Sequence, residues 1–241
     1  IYDNLLTSTN SNTLSMFLQE TKEQTHEINR EWADILDIST SKSITCCKPS
    51  GTTSCVAGTS SGIHPRFSAY YIRRVRIDNT NPMCDFMKDQ GIPNESCVVR
   101  GDTTTVFSFP IKTPPGSKTY KEYDPLDHLN LWLNYQKHWC DHKPSVTINY
   151  TDNSFLSIGQ WVYQNWDWVS GISFLPHTDH TYEQAPFEAI NQEEYIELLS
   201  QIPNHIDWSE LSAYEFEDTT TNTHTLACHN GACDVVDLVE T

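Results

Sequence analysis

The sequence is poor in positive charge and has no long apolar run. Its 241 residues include 15 Lys and Arg against 32 Asp and Glu, a formal net charge of −17. Such an excess of negative charge argues against non-specific binding to nucleic acid or to an anionic membrane surface. No apolar stretch approaches the roughly 20 residues that a bilayer-spanning helix needs. We therefore expect neither nucleic acid nor a membrane as a partner.

The sequence also lacks an initiator methionine and a signal-like start, since it begins at Ile1. We therefore expect the chain to be a piece of a longer protein. Eight cysteines could form a disulfide framework, but the chain is too long and too rich in tryptophan for a small disulfide-stabilised domain. A reducing cytoplasm is the expected location. Six cysteines in apolar or strand-like contexts are predicted to be buried thiols: Cys46, Cys47, Cys55, Cys84, Cys97 and Cys140.

What the sequence does contain is an alternation of strand-like and helix-like segments. Apolar spacing and start signals predict five helices, over residues 12–36, 81–91, 124–140, 154–169 and 191–202. Short apolar or alternating runs predict five strands, over residues 43–47, 70–77, 106–111, 145–150 and 171–175. This alternation predicts an α/β fold with parallel strands. The seven tryptophans are expected to pack in the core.

A loop rich in hydroxyl groups follows the first predicted strand. It has the sequence Lys-Pro-Ser-Gly-Thr-Thr-Ser over residues 48–54 and precedes a predicted short helix. Backbone N–H groups and the dipole at a helix start favour an anion, glycine allows close approach, and hydroxyls donate hydrogen bonds. The pattern predicts a phosphate site, and a capped Ser/Thr-rich turn is the alternative. It is not a Walker P-loop, because no Gly-Lys-Ser/Thr ends it.

Local positive charge is concentrated in one place in the sequence. Four arginines form this basic cluster: Arg66, Arg73, Arg74 and Arg76. Because the chain as a whole is acidic, a substrate that carries phosphates needs local positive charge of this kind.

A motif with two cysteines lies near the C-terminal end. The polar segment 219–225 has no apolar period and is typical of a flexible tether, and Cys228 and Cys233 follow it with Asn230-Gly231 between them. This spacing allows a disulfide across a tight turn, which predicts a redox pair that exchanges with another disulfide. Zinc is an alternative, since His224, Cys228, His229 and Cys233 offer four ligands. Because the usual paired C-x-x-C spacing is missing, we predict no metal; an inert tail is the third possibility.

Taken in order, these segments resemble the adenosylcobalamin-dependent (class II) ribonucleotide reductases of the monomeric, ribonucleoside-triphosphate type. Six segments carry the resemblance: ITCCKPSGTTS (44–54), SSGIHPRFSAYYIRRVRI (60–77), SVTINY (145–150), VSGISFLP (169–176), YEQAPFE (182–188) and CHNGAC (228–233). The ordered set covers essentially the whole chain. It is far more specific than any one segment, and it favours the phosphate site over the simple turn.

The resemblance implies an α/β fold that is the C-terminal half of the family's ten-stranded α/β barrel, here residues 1–215. A flexible tail, residues 216–241, is expected to follow. It implies that six residues hold the substrate phosphates: Pro49, Ser50, Gly51, Thr52, Thr53 and Ser54. It also implies that Cys228 and Cys233 are the shuttle pair that re-reduces the active site and is itself reduced by thioredoxin.

The family's finger-loop motif, Asn-Pro-Cys followed shortly by Glu, is not found in this sequence. The segment 81–84, Asn-Pro-Met-Cys, is only superficially similar, and we expect Cys84 to be structural. The resemblance then implies that the radical cysteine lies in a missing N-terminal half of the same enzyme. We expect this chain alone to be inactive.

The function that the resemblance implies is reduction of a ribonucleoside triphosphate to the 2′-deoxyribonucleotide by thiyl-radical chemistry, started by adenosylcobalamin. A class I large subunit is an alternative. That class relays its radical through a tyrosine pair on a late barrel strand, whereas the comparable segment here, 171–175, has no tyrosine. A non-catalytic nucleotide- or zinc-binding fragment is the second alternative.

Overall fold

The computed structural model describes residues 1, 11–101, 103–177 and 182–215. These residues divide into two compact units, one within residues 1–66 and 115–178 and the other within residues 67–114 and 179–241. Among the described helices, none has the length and apolar character needed to cross a membrane. The predicted tail, residues 216–241, lies outside the described residues, and the predicted boundary before it stays a prediction.

The elements alternate along the chain much as the sequence predicts. The helices are α1 (Ser11–Leu36), α2 (Thr53–Val56), α3 (Pro82–Asp89), α4 (Pro125–His138), α5 (Phe155–Gln164) and α6 (Gln192–Gln201). The strands are β1 (Tyr70–Asp78), β2 (Asn94–Ser96), β3 (Thr104–Lys112), β4 (Thr147–Tyr150), β5 (Ser173–Pro176) and β6 (Phe187–Ala189).

The first unit contains α1, α2, α4, α5 and a pair of parallel strands. β4 pairs with β5 in parallel register, as predicted for these two segments. Asp124 begins α4 by accepting hydrogen bonds from the backbone N–H groups of Leu126 and Asp127. The core of this unit is made of buried apolar side chains from its helices, β4 and the intervening loops: Leu14, Leu18, Ile63, Leu129, Trp132, Ile148, Ile158 and Trp161.

The second unit is built on an antiparallel sheet with the strand order β2-β3-β1-β6. β1 and β3 pair along their whole length, from Tyr70 opposite Lys112 to Asp78 opposite Thr104. The parallel arrangement predicted for these strands is therefore wrong. Alternation of strands and helices along a sequence does not determine strand direction. Here α3 and β2 lie between β1 and β3, and β2 itself pairs antiparallel with β3.

In the second unit, helix α3 begins at the residue that the sequence predicts. The side chain of Asn81 accepts a hydrogen bond from the Met83 N–H, and Pro82 occupies the first helical position. Cys84 has 0% exposure and packs with Phe86 and other apolar residues of this unit. The prediction that Cys84 is buried is confirmed.

Two classes of side chain are more exposed than predicted. Cys55 is an exposed thiol, so the prediction that it is buried is wrong. Four of the tryptophans expected in the core have exposures between 46% and 68%: Trp32, Trp166, Trp168 and Trp208. The residue type alone does not determine burial, because burial also requires other parts of the protein to pack against the side chain.

We predict that replacing Trp132 destabilises the first unit far more than replacing Trp166. Trp132 has 0% exposure, and its Nε1–H donates to the Pro144 carbonyl oxygen at 3.0 Å. Trp166 is 68% exposed. Trp132→Ala is expected to lower the free energy of unfolding by about 3–5 kcal/mol, and Trp166→Ala by less than about 0.5 kcal/mol. Denaturant unfolding followed by circular dichroism measures both, and equal effects would contradict this core.

Candidate functional site

The loop of residues 48–62 is closed by hydrogen bonds between its two ends. The Ser50 N–H donates to the Ser61 hydroxyl at 2.8 Å, and that hydroxyl donates to the Ser50 carbonyl oxygen at 3.0 Å. One side chain therefore holds both backbone polar groups of Ser50. The two ends of the loop cannot separate unless these bonds break.

Gly62 lets the chain pass close to the start of the loop. Its φ is +53°, and a Cβ atom at this position would lie 2.6 Å from the carbonyl oxygen of Lys48. That distance is well inside van der Waals contact, and the positive φ is itself unfavourable for residues other than glycine. The position therefore requires glycine for two separate reasons.

Inside the loop, two of the predicted phosphate-binding hydroxyls bond to the loop itself. The Ser54 N–H donates to the Ser50 hydroxyl oxygen at 2.8 Å, and the Ser54 hydroxyl donates to the Ser50 carbonyl oxygen at 2.8 Å. Ser54 is buried, with 6% exposure. These side chains thus shape the loop.

A second set of donors lies on exposed residues of the loop. Within the described part of the chain, the N–H groups of Gly51, Thr52 and Thr53 have no hydrogen-bond partner, and all three residues are exposed. The Thr52 side chain makes no capping bond to α2. Three consecutive amides and two hydroxyls are therefore available to an anion.

Two buried histidines support the segment that follows the loop. His64 Nδ1 lies 3.1 Å from the Ser61 carbonyl oxygen, and His64 Nε2 accepts from the Thr147 N–H of β4 at 3.1 Å. His128 Nε2 lies 2.7 Å from the carbonyl oxygen of Ile63. Burial lowers the pKa of His128 to about 4, so its imidazole is neutral near pH 7. The two rings connect the loop to β4 and α4.

The predicted basic cluster is divided between the two units, and all four of its members contact protein groups. The Arg73 guanidinium lies over the Phe187 ring, 5.8 Å from its centroid. Arg66 is buried and donates to the Gly58 carbonyl oxygen, just past α2. In the second unit Arg74 pairs with Glu188 at 2.6 Å and Arg76 donates to the Gln184 carbonyl oxygen at 2.8 Å. These guanidinium groups hold chain segments together.

The supporting residues Ser61, Gly62 and His64 were not singled out by the sequence analysis. The sequence signal for them was a glycine that follows two serines and precedes a histidine by two positions. That signal could not be interpreted without the structure, because the glycine is required by its contact with the Lys48 carbonyl. The predicted redox cysteines, Cys228 and Cys233, lie outside the described residues.

Comparisons with known proteins agree on one group of enzymes, although no family model matches the chain. The adenosylcobalamin-dependent ribonucleoside-triphosphate reductase of Euglena gracilis is 30% identical over 222 residues, which are 91% of this chain and 30% of that protein. This chain is similar to such a reductase over most of its own length. The probable adenosylcobalamin-dependent ribonucleoside-triphosphate reductase of Dictyostelium discoideum is 27% identical over 218 residues, 88% of this chain and 28% of that protein.

A crystal structure of a B12-dependent class II ribonucleotide reductase is similar in fold. The TM-score is 0.73 with 24% sequence identity, and the match covers 85% of this chain and 29% of that one. The predicted ribonucleotide reductase fold is confirmed. This chain spans about 30% of the length of the reductases that it matches, which is consistent with the predicted C-terminal part.

We predict that Gly62→Ala disturbs the loop and that Gly116→Ala does not. Both glycines have positive φ, +53° and +81°, but a Cβ at Gly116 meets nothing within 4 Å. Backbone strain of roughly 1 kcal/mol is therefore common to both variants. Only Gly62→Ala adds the clash with Lys48, and it should speed amide hydrogen exchange in residues 50–57. Equal exchange in the two variants would contradict this closure of the loop.

Proposed function

We propose that this chain is part of a class II ribonucleotide reductase that reduces ribonucleoside triphosphates to 2′-deoxyribonucleotides for DNA precursor synthesis. The observation that supports this most strongly is the similarity to triphosphate reductases over 91% of the chain. The class II fold match favours this function over a class I large subunit. The proposal includes a cytoplasmic location, because the chemistry needs reduced thiols.

In this proposal the outward-facing donors of the loop bind the substrate phosphates. The amides of Gly51, Thr52 and Thr53 and the two threonine hydroxyls make the direct contacts. Pro49, Ser50 and Ser54 complete the loop, and the serine pair maintains its shape. α2 has four residues, so its dipole is small, and the phosphates would be held by individual hydrogen bonds.

Adenosylcobalamin is the proposed cofactor of the complete enzyme, because it is named for the relatives. It would supply the radical that starts the reaction. Two surface cavities among the described residues have volumes of about 560 and 490 Å³ and are open to solvent. Neither encloses a group the size of a corrin with its nucleotide tail. We therefore assign no described residue to the cofactor.

The rest of the complete enzyme is the proposed partner of α1. This helix buries Leu14 and Leu18, but it exposes between 47% and 63% of four other large apolar side chains: Phe17, Ile28, Trp32 and Ile35. Exposed apolar side chains grouped on one helix are typical of an interaction surface. We propose that the part of the reductase that the relatives have beyond this chain covers it. Without that part the chain should show no turnover.

The two C-terminal cysteines are proposed to carry electrons. The dithiol of Cys228 and Cys233 would reduce an active-site disulfide by thiol–disulfide exchange and become a disulfide itself. Thioredoxin, the proposed partner, would then reduce that disulfide. Asn230-Gly231 favours the turn that a small disulfide ring needs.

We predict that loss of either threonine hydroxyl weakens substrate binding in the complete reductase. A hydrogen bond to a charged group is worth about 1.5–3 kcal/mol, so Thr52→Val or Thr53→Val should raise KM roughly 10- to 100-fold. Thr59→Val, at an exposed threonine of the same loop after α2, is the matched control and should leave KM unchanged. Unchanged KM in both loop variants would remove these hydroxyls from the phosphate site.

We predict that the complete enzyme with Cys228→Ser and Cys233→Ser still completes one turnover after pre-reduction. Repeated turnover with thioredoxin should fail, because no pair remains to carry electrons to the site. A small dithiol that reaches the site directly should restore part of the rate. Normal thioredoxin-driven turnover in this variant would show that the shuttle assignment is wrong.

A further inference from the structure

The residues that lead into the loop of residues 48–62 are held by the segment that follows α4. Neither segment 44–47 nor segment 139–145 is part of a strand. Three consecutive carbonyl oxygens of the first segment accept hydrogen bonds from the second: Thr45 from the Asp141 N–H at 2.8 Å, Cys46 from the Trp139 Nε1–H at 3.3 Å and Cys47 from the Ser145 N–H at 3.2 Å. Because segment 44–47 has no strand partner, its position depends on such individual bonds.

The Asp141 carboxylate supplies the acceptor that two N–H groups of this segment need. Its Oδ2 accepts from the Ile44 N–H at 3.0 Å and from the Thr45 N–H at 3.3 Å. Thr45 is only 2% exposed, so water has little access to it. A buried N–H group that loses its acceptor destabilises the local structure by more than the net worth of the bond. Asp141 therefore fixes the start of the segment.

Two side chains of α1 hold this carboxylate in turn. Lys22 Nζ lies 2.8 Å from Oδ1 and also donates to the Cys140 carbonyl oxygen at 3.3 Å. His26 lies one helical turn further along α1, and its Nε2 is 2.9 Å from Oδ2. Burial acts to raise the pKa of Asp141, but hydrogen bonds from Lys22 and from the backbone outweigh it, so the pKa lies well below its usual range. The carboxylate is therefore ionised near pH 7.

We propose that Asp141 is a positioning residue for substrate binding, which fixes residues 44 and 45 while Lys22 and His26 of α1 keep its carboxylate in place. In this role Asp141 needs no contact with the substrate. The inference rests on the proposed function, because it assumes that the loop binds the substrate phosphates.

The chain itself connects this carboxylate to the loop. Segment 44–47 runs directly into Lys48, whose carbonyl oxygen lies against Gly62 at the closure of the loop. Ser61, next to that glycine, bonds both backbone polar groups of Ser50. A displacement of segment 44–47 therefore changes the closure, and with it the placement of the donors that follow Ser50.

Asp141→Ala in the complete reductase should raise KM for the triphosphate about tenfold, the equivalent of one neutral hydrogen bond. The value of kcat should stay unchanged, because the reacting groups are not altered. Asp124→Ala is the matched control, since Asp124 also accepts two backbone N–H bonds in this unit, at the start of α4. It should destabilise the first unit without changing KM. Equal KM changes in the two variants would show that Asp141 has only a structural role.

A rescue variant tests whether the acceptor oxygen carries the effect. Asp141→Asn keeps one oxygen for the N–H groups of Ile44 and Thr45, but its NH₂ group would face Lys22. It is therefore combined with Lys22→Met, which removes that opposing donor. The double variant should recover most of the KM. A KM as high as that of Asp141→Ala would contradict positioning through these two amides.

A measurement on the unsubstituted enzyme does not depend on how well a variant folds. Addition of a ribonucleoside triphosphate should slow amide hydrogen exchange in residues 44–47 together with loop residues 50–57, because the two segments are linked. Slowing that is confined to the loop, or a raised KM in Thr52→Val but not in Asp141→Ala, would overturn this inference and leave the phosphate site intact. No slowing in either segment would contradict the proposed phosphate site, and this inference with it.

Discussion

The close approach of Gly62 to the Lys48 carbonyl is the constraint on which the candidate site depends. It allows Ser61 to reach Ser50 and bond both of its backbone polar groups. With Ser50 held, its hydroxyl and carbonyl oxygen are placed to bond Ser54, and the intervening residues 51–53 are exposed. An anion site of this kind uses backbone groups, so its geometry is determined by chain closure more than by any charged side chain.

The loop is in turn supported by the core of the first unit. His64 connects the loop to the start of β4, and His128 connects Ile63, just past the loop, to α4. His64 can accept from the Thr147 N–H only while its Nε2 carries no proton. For His128, burial lowers the pKa to about 4 although the bond to the Ile63 carbonyl opposes this change. On the other side, Asp141 holds the segment that leads into the loop. The candidate anion site is therefore held in place by distant parts of the chain.

The sequence predicted most long elements, because capping residues and apolar periods are local signals. The short strands β2 and β6 were missed, since three-residue strands are defined by their partners and not by their own composition. Residues 43–47 look like a strand, but side-chain bonds such as that from Ile44 N–H to Asp141 replace a regular ladder. The loop itself was predicted, yet the inward roles of Ser50 and Ser54 follow from contacts that composition cannot show.

The central claim is that the amides of Gly51, Thr52 and Thr53 bind substrate phosphate. A crystal structure of the complete reductase with a bound ribonucleoside triphosphate tests it most directly. We expect phosphate oxygens about 3 Å from these nitrogen atoms, with the Ser50–Ser61 bonds intact. A triphosphate bound elsewhere, with this loop facing solvent, would contradict it.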